Sequence, residues 1–456
     1  MMKRAAATVI AAVLSIGGAM WALGDTPKMR LPGPAELSVP GTARTLALAC
    51  PPGPTATIGE TIGLSEEESE ITERTRGLVI GGGTVTTPDN LDLTGSPRFF
   101  SAYGAHPGPL IAEPGESAAI IAATYQRTQE SGELAGLILS PCLPPAATHY
   151  FVGGSTATGS SSELVLTNLS ATPATVRITV HTSTGTAPRV ASSALTVAPG
   201  GTEKVLVEAL ATDDKIALEV SAEGGAVAAH LFTHEMSGAS GAGAESIEAG
   251  AEPATEVIVP GIDLSGDSGA PSVRIANPGE DSATAQLTVR TDDGSEPVPG
   301  AESVRLAPGS VLDIPLDGIG QGWAAIEVSS DVPVLAAGLL AGEDLMQVPS
   351  VAPLRHGTAT VGTGVGTLVL VAEDATATVR AFARTGEEVD TLTVPVKGIG
   401  SVELPAATSY VEVLADRPVS AGLVVTEQLG SRRGGSAVPV IPTPEDAAGL
   451  QLKISN

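Results

Sequence analysis

The chain of 456 residues has few aromatic side chains, few cysteines and few positive charges. It contains 2 Trp, 4 Tyr and 5 Phe, only 2 Cys, and 24 Lys and Arg against 51 Asp and Glu. The formal net charge of −27 argues against nucleic acid as a partner, because phosphate binding depends on clustered Lys and Arg. Two cysteines also exclude a disulfide-dense miniprotein and a four-cysteine zinc module.

The abundant residues are suited to strands and tight turns. The sequence has 54 Gly and 35 Pro, and its apolar side chains are mostly Val, Ala, Leu and Ile. A hydrophobic content of 42% predicts folded cores, while helical periodicity is almost absent. At roughly 100–200 residues per domain, the length predicts about three or four domains.

The first 24 residues have the pattern of an export segment. Lys3 and Arg4 precede an uncharged stretch that runs to Gly24. A cleaved signal peptide would end at Gly24 and give a secreted protein. An uncleaved anchor is the alternative, since about 20 apolar residues span the hydrocarbon core. We favour the anchor because the stretch is long, and this predicts a single-pass membrane protein with an extracytoplasmic C-terminal region.

Two cysteines lie in the part of the chain that would be exported. Cys50 and Cys142 each stand beside proline, and oxidising compartments permit a disulfide between them. The alternative is two free buried thiols. We expect the disulfide.

One pattern occurs three times in the second half of the chain. Strand-like pairs at 163–180, 272–290 and 367–381 are each followed by a closing segment, at 226–232, 333–338 and 418–422. Within them Val176, Ile178 and Val180 alternate with polar residues, as in a half-buried strand. The pattern predicts an all-β fold of tandem antiparallel immunoglobulin-like β-sandwich modules, after one N-terminal hydrophobic helix. A barrel or a propeller blade is the alternative.

The predicted domains follow from these copies. They are 1–24 (anchor or signal peptide), 25–150 (a divergent, disulfide-stapled β module), repeats at 151–260, 261–353 and 354–445, and a tail at 446–456. Residues 237–256 are rich in Gly, Ala and Ser and are predicted to form a flexible loop.

Catalytic and metal motifs are weak. Gly266-Asp267-Ser268-Gly269 resembles the nucleophile motif of trypsin-like proteases, which also need a histidine and an aspartate at the same site. Only 38 residues separate His230 from Ser268, so we interpret the motif as a turn. His230 and His234 are interpreted as an outward-facing pair. We predict no enzymatic activity, no cofactor and no metal site.

The aromatic residues are concentrated in one region. Six of the eleven lie within 53 residues, namely Phe99, Phe100, Tyr103, Tyr125, Tyr150 and Phe151. They are interpreted as the core of the first module and its junction with the second, or as contacts for a ligand or a partner.

One segment resembles a known group of sequences. Tyr150-Phe151-Val152-Gly153-Gly154 runs into repeated β segments and follows two proline-flanked cysteines. In these features the chain resembles an uncharacterised actinobacterial family of exported or membrane-anchored proteins with a domain of unknown function. The resemblance implies an envelope location and offers no catalytic residues.

We therefore predict a non-catalytic cell-envelope protein. It would be an extracytoplasmic scaffold or interaction module, whose partner is another envelope protein or a cell-wall polymer. The alternative is a saccharide-binding accessory factor in cell-wall glycan assembly.

Overall fold

Alternating apolar side chains produce most of the strands in this protein. In the segment from Ala174 to Thr182, the residues at 174, 176, 178 and 180 are buried, whereas those at 175 and 177 are exposed. A computed structural model describes residues 36–39, 45–58, 69–95, 97–113, 119–190, 193–266, 270–316, 318–443 and 450–453. Nearly all of this part is β structure in several antiparallel sheets, as predicted.

The strands before residue 250 form two groups. Strand β1 covers Glu36–Val39. Module 1 comprises β2 (Leu46–Cys50), β3 (Thr72–Ile80), β4 (Val85–Thr86), β5 (Arg98–Tyr103), β6 (Gly108–Ala112), β7 (Ile120–Gln129) and β8 (Gly136–Pro141). Module 2 comprises β9 (Thr148–Val152), β10 (Ser160–Thr167), β11 (Ala174–Thr182), β12 (Gly185–Thr186), β13 (Ala194–Val197), β14 (Thr202–Leu206), β15 (Ile216–Glu223), β16 (Ala228–Ser237) and β17 (Ser240–Ile247). Short 3-10 turns occupy Pro88–Asn90 and Val207–Ala209.

The later strands form two more groups. Module 3 comprises β18 (Ala254–Asp263), β19 (Ala270–Ala276), β20 (Ala283–Thr291), β21 (Gly294–Pro297), β22 (Val304–Leu306), β23 (Val311–Pro315), β24 (Trp323–Ala341) and β25 (Leu345–Pro349). Module 4 comprises β26 (Leu354–Thr360), β27 (Val365–Ala383), β28 (Glu388–Glu403), β29 (Thr408–Leu429), β30 (Arg432–Pro439) and β31 (Ile441–Pro442). Strand β32 covers Leu450–Lys453. These module names denote strand groups, and the domain boundaries derived from the sequence stay predictions.

Two compact units can be distinguished. Residues 43–445 form one unit, and β1 pairs antiparallel with β32 in the other. The predicted N-terminal anchor or signal peptide lies outside the described residues. In the ranges described above, no helix is long and apolar enough to cross a membrane.

Each module contains the same four-stranded arrangement. The orders are β5-β3-β7-β8, β14-β10-β16-β17, β23-β19-β24-β25 and β28-β27-β29-β30. In every case the last strand closes a hairpin at one edge of its sheet. The residues 237–256, predicted to be a loop, contain the closing strand β17 of module 2. That prediction is wrong.

The closing strands meet one another. Strand β8 contacts β17 and β30, and β25 also contacts β17 and β30, so the four edges form a ring. The tandem modules are therefore closed on themselves. Buried apolar clusters lie at each of the four contacts between neighbouring modules and include Tyr125 with Phe232, Val152 with Leu335, Ala325 with Val369, and Leu78 with Tyr410.

Candidate functional site

Three of the six aromatic residues singled out in the sequence are buried in three separate cores. Phe100 lies in the core of module 1, and Phe151 in that of module 2. Tyr125 packs between these modules, where its hydroxyl donates a hydrogen bond to Glu73 Oε1 at 2.8 Å. These positions are structural, and they do not bring the three rings together.

The other three aromatic residues lie nearer the surface. Phe99 is partly buried against module 4, and Tyr150 is partly buried against module 3. Tyr103, at the end of β5, is 75% exposed. Among the six, Tyr103 is therefore the residue best placed to touch a ligand.

Polar groups surround Tyr103. The Arg74 guanidinium carbon lies 4.2 Å from the centroid of the Tyr103 ring. His106 joins the cluster, with Nε2 at 2.8 Å from the Tyr103 carbonyl oxygen and Nδ1 at 3.0 Å from Asp89 Oδ2. Asp89 and its neighbour Asn90 have φ angles of 48° and 54°, an uncommon region for residues other than glycine. Through His106, this turn is linked to the backbone of Tyr103, whose ring lies beside the Arg74 cation.

The disulfide lies in the core of module 1. Cys50 of β2 and Cys142, which follows β8, are bonded, with Cα atoms 4.1 Å apart and a sequence separation of 92. Both are buried in the core of module 1. The bond links the sheet β2-β6-β4 to the segment that leaves the closing strand.

The centre of the ring is built around one carboxylate. Asp344 Oδ2 accepts hydrogen bonds from the backbone N–H of Leu137 at 2.8 Å and of Gly435 at 3.2 Å. Its Oδ1 accepts from the N–H of Leu345 at 2.9 Å and of Ala244 at 3.2 Å. These four residues come from the four closing strands, so one side chain ties all four modules together.

Glycine makes this approach possible. In β8, β17 and β30, the residue immediately before the amide donor is a glycine, namely Gly136, Gly243 and Gly434. The equivalent position of module 3 is Asp344 itself. A Cβ atom on Gly136 would lie 2.9 Å from Asp344 Cγ, and one on Gly243 would lie 2.9 Å from Asp344 Oδ1. Three of the modules therefore have glycine at this position, which leaves space for the Asp344 carboxylate of the fourth.

Two further buried acids lie on β17 and just after it. Glu245 Oε1 accepts hydrogen bonds from the Ser436 hydroxyl and the Ser246 N–H, both at 2.8 Å. Burial raises the pKa of Glu248 to about 8 and raises that of Glu245 well above its usual range. Burial also raises the pKa of Asp344 to about 7, although its four amide donors favour the charged form.

Two cavities adjoin this centre. One of about 340 Å³ is lined by Asp344, Glu343, Gln428 and Arg433, among others. The second, of about 130 Å³, lies between modules 2 and 3. Glu245 and Gln347 both line it, and each has a carboxyl or amide oxygen that lacks a hydrogen-bond partner in the described part of the chain.

The two histidines do not face outwards as the sequence suggested. His230 and His234 are 2% and 4% exposed, because the face of β16 that carries them packs against module 1. His234 Nε2 lies 2.8 Å from Glu133 Oε1, and burial lowers the pKa of His230 to about 3. Ser268 lies outside the described residues.

The described ranges hold no group of three or more His, Cys, Asp or Glu side chains that could bind a metal. The sequence analysis missed Asp344. It could have been found by aligning the four closing segments position by position. That comparison places an acid in one copy opposite glycine in the other three.

The comparisons with known proteins give a family and no activity. No curated protein matches the chain. The crystal structure of Thermotoga maritima 1070 is 22% identical, with a TM-score of 0.18, and the match covers 22% of this chain and 93% of that one. Streptomyces avermitilis alpha-L-rhamnosidase complexed with L-rhamnose is 11% identical, with a TM-score of 0.12, and covers 81% of this chain and 54% of its own.

The full-length RrgB pilus protein from Streptococcus pneumoniae is 9% identical, with a TM-score of 0.13, and covers 80% of this chain and 86% of its own. TM-scores this low indicate neither the fold nor the function of this chain. The profile of a family of unknown function, DUF5719, matches residues 101–407. The chain belongs to this family.

Proposed function

We propose that the chain is a non-catalytic extracytoplasmic protein of the cell envelope, which acts as a scaffold or interaction module. The observation that carries the proposal is the bonding of Asp344 to all four closing strands. A ring closed in this way presents preformed outer surfaces, and preorganisation lowers the cost of binding a partner. Each module would correspond to an immunoglobulin-like sandwich.

The bond between Cys50 and Cys142 supports the proposed location, because structural disulfides persist in oxidising compartments. The N-terminal segment would serve as the anchor, or would be cleaved after Gly24. The partner would be another envelope protein or a cell-wall polymer.

The test is crosslinking in intact source cells, with an affinity tag placed after Asn456, followed by mass spectrometry and polymer analysis. We expect specific envelope proteins or wall polymer to be recovered. Recovery of cytosolic proteins alone would refute the extracytoplasmic assignment. A chain with Cys50→Ala and Cys142→Ala, tagged identically, controls for capture that does not require the native fold.

A saccharide-binding accessory role in cell-wall glycan assembly is the second candidate. It is favoured by Tyr103, whose exposed ring is positioned by Arg74, since aromatic rings at surfaces often carry recognition. Co-sedimentation with purified wall polysaccharide tests it. Tyr103→Ala should abolish binding, and Val365→Ala, which removes an exposed apolar side chain in module 4, should leave it unchanged. Equal binding by both variants would exclude this role for Tyr103.

A further inference from the structure

The cavity beside Asp344 is large enough for a small molecule. It measures about 340 Å³, and one water molecule needs only ~10–15 Å³ of such space. Small-molecule sites in proteins typically begin near ~300 Å³. On size alone, the cavity can therefore hold a ligand of about the size of one sugar ring.

Modules 3 and 4 form the walls of this cavity. Module 3 supplies the turn that leads into β25, and module 4 supplies the hairpin of β29 and β30. The floor is buried, with Asp344 at 6% exposed beside Met346, Gly434 and Gly435. The rim consists of four exposed polar side chains, namely Glu343, Gln428, Ser431 and Arg433.

The hairpin on the module 4 side is held in place by hydrogen bonds. Its tip is tied to module 1, because the Ser431 N–H and hydroxyl both donate to Glu130 Oε1 at 2.8 Å. Gln428 Nε2 donates to the carbonyl oxygens of Gly430 and Arg432, both at 2.9 Å. These bonds use both amide hydrogens of Gln428 and leave its Oε1 as an acceptor in a fixed orientation.

The module 3 side of the rim also offers an acceptor. Glu343 Oε2 accepts a hydrogen bond from the Arg433 N–H at 2.6 Å, which fixes the carboxylate and leaves Oε1 to accept another. The hydroxyl of Thr426, also in the wall, can donate and accept, and the Arg433 guanidinium donates. A matching ligand must therefore carry several hydrogen-bond donors together with some acceptors. Hydroxyl groups provide both.

The charges around the cavity select against a charged ligand. Glu343 and Asp344 would repel an anion, whereas Arg433 would repel a cation. Polar atoms make up the larger part of the wall, so an apolar ligand would leave them without water or a partner. Met346 provides one apolar surface, against which the C–H face of a ring can pack.

We propose that this cavity binds a neutral polyhydroxylated ligand, such as one residue of a neutral saccharide. Gln428 Oε1 and Glu343 Oε1 accept hydrogen bonds from its hydroxyl groups, and Arg433 donates to one of its oxygens. Because these acceptors are already oriented, little freedom is lost on binding. The site is separate from Tyr103 and stands on its own walls. Only a cell-wall glycan as the source of the ligand rests on the second candidate function.

Titration of the full chain with the methyl glycosides of glucose, mannose and galactose, followed by saturation-transfer NMR, tests the site. We expect at least one of them to bind at a single site. Loss of one acceptor should raise the dissociation constant about threefold to tenfold in Gln428→Ala and in Glu343→Ala, and about tenfold or more in the double variant. Gln286→Ala and Glu296→Ala, which remove exposed side chains of module 3, are the matched controls and should bind as the unmodified chain does.

Glucuronate, glucosamine and alanine serve as anionic, cationic and zwitterionic probes in the same titration. Binding of any of these more tightly than the neutral glycosides would overturn the proposed ligand class. Failure of all three glycosides to bind, or equal binding by the double variant and the unmodified chain, would overturn the site. The substituted side chains are exposed, so we expect every variant to fold.

The cavity site and the second candidate function can fail separately. Tyr103→Ala should bind the methyl glycosides as the unmodified chain does, because Tyr103 is not part of this cavity. Glycoside binding without co-sedimentation of wall polysaccharide would keep the cavity site and reject the accessory role. Co-sedimentation without glycoside binding would keep that role and reject the cavity site.

Discussion

Replacement of Asp344 by alanine should destabilise the whole ring. The change leaves four backbone N–H groups, one from each closing strand, without an acceptor. A buried donor left unsatisfied costs about 1–3 kcal/mol, so four correspond to roughly 4–12 kcal/mol. Water can enter from the adjoining cavity of about 340 Å³ and satisfy part of this demand. We therefore expect a loss near the lower limit, about 4–5 kcal/mol, which is a large share of typical domain stability.

The asparagine variant provides an internal check on this reasoning. Asp344→Asn keeps one acceptor oxygen for two of the amides and places an NH2 group against the other two. It should lose at least half as much stability as Asp344→Ala. Asp292→Ala, which removes an exposed aspartate from the turn after β20, is the control and should change stability by less than about 0.5 kcal/mol.

Denaturant unfolding monitored by fluorescence and circular dichroism measures the free energies. Hydrogen exchange then locates the effect, because the amides of Leu137, Ala244 and Gly435 should lose protection together in Asp344→Ala. A variant within about 1 kcal/mol of the unmodified chain, with these amides still protected, would show that Asp344 does not hold the four strands together.

Three further changes probe the same ring. Burial raises the pKa of Glu248 to about 8, so the folded chain binds this proton more tightly than the unfolded chain does. The contribution of Glu248 to the free energy of unfolding is therefore complete below about pH 4.5 and is lost as the pH rises towards 8. Glu248→Gln should remove up to about 4 kcal/mol of this loss, measured as unfolding midpoints at pH 5 and pH 8. Gly136→Ala should lower the free energy of unfolding by at least about 2 kcal/mol, because the new Cβ would collide with Asp344 and residue 136 has a φ of 149°. Equal thermal midpoints for this variant and the unmodified chain would contradict the crowding. Reduction of Cys50–Cys142 should lower stability by as much as about 4–5 kcal/mol on the loop-entropy model, and an unchanged midpoint in reductant would show that the bond contributes nothing.

Much of the fold could be predicted because single strands leave a clear trace in the sequence. The alternation of Val176, Ile178 and Val180 reports one buried face, and the structure has that face in the core of module 2. Strand β17 left no such trace. Its Gly243 and Ala244 occupy the crowded centre of the ring, where small volume matters more than hydrophobicity. A strand composed mostly of small residues therefore resembles a flexible linker in its sequence.

The candidate sites were less predictable because they depend on surfaces that meet only in the closed ring. His230 and His234 alternate with apolar residues and so resemble a solvated face, yet module 1 covers that face. Arg76 resembles an ordinary polar position of a strand, yet it is 1% exposed beside Leu78, which packs against module 4. Period-two patterns identify which side chains share a face but not whether a second surface covers it.

Ring closure also limits where a partner can bind. In tandem modules arranged in a line, the outward face of every sheet would be open to a partner. Here one face of each four-stranded sheet is occupied by a neighbouring module, through contacts such as Tyr125 with Phe232 and Leu78 with Tyr410. The outward sheets, the hairpin tips and the openings between modules stay accessible to the partner that we propose. Tyr103 and Arg76 belong to the same sheet of module 1. The Tyr103 ring is 75% exposed, whereas Arg76 Nε and Nη1 are enclosed and lack a hydrogen-bond partner among the described residues.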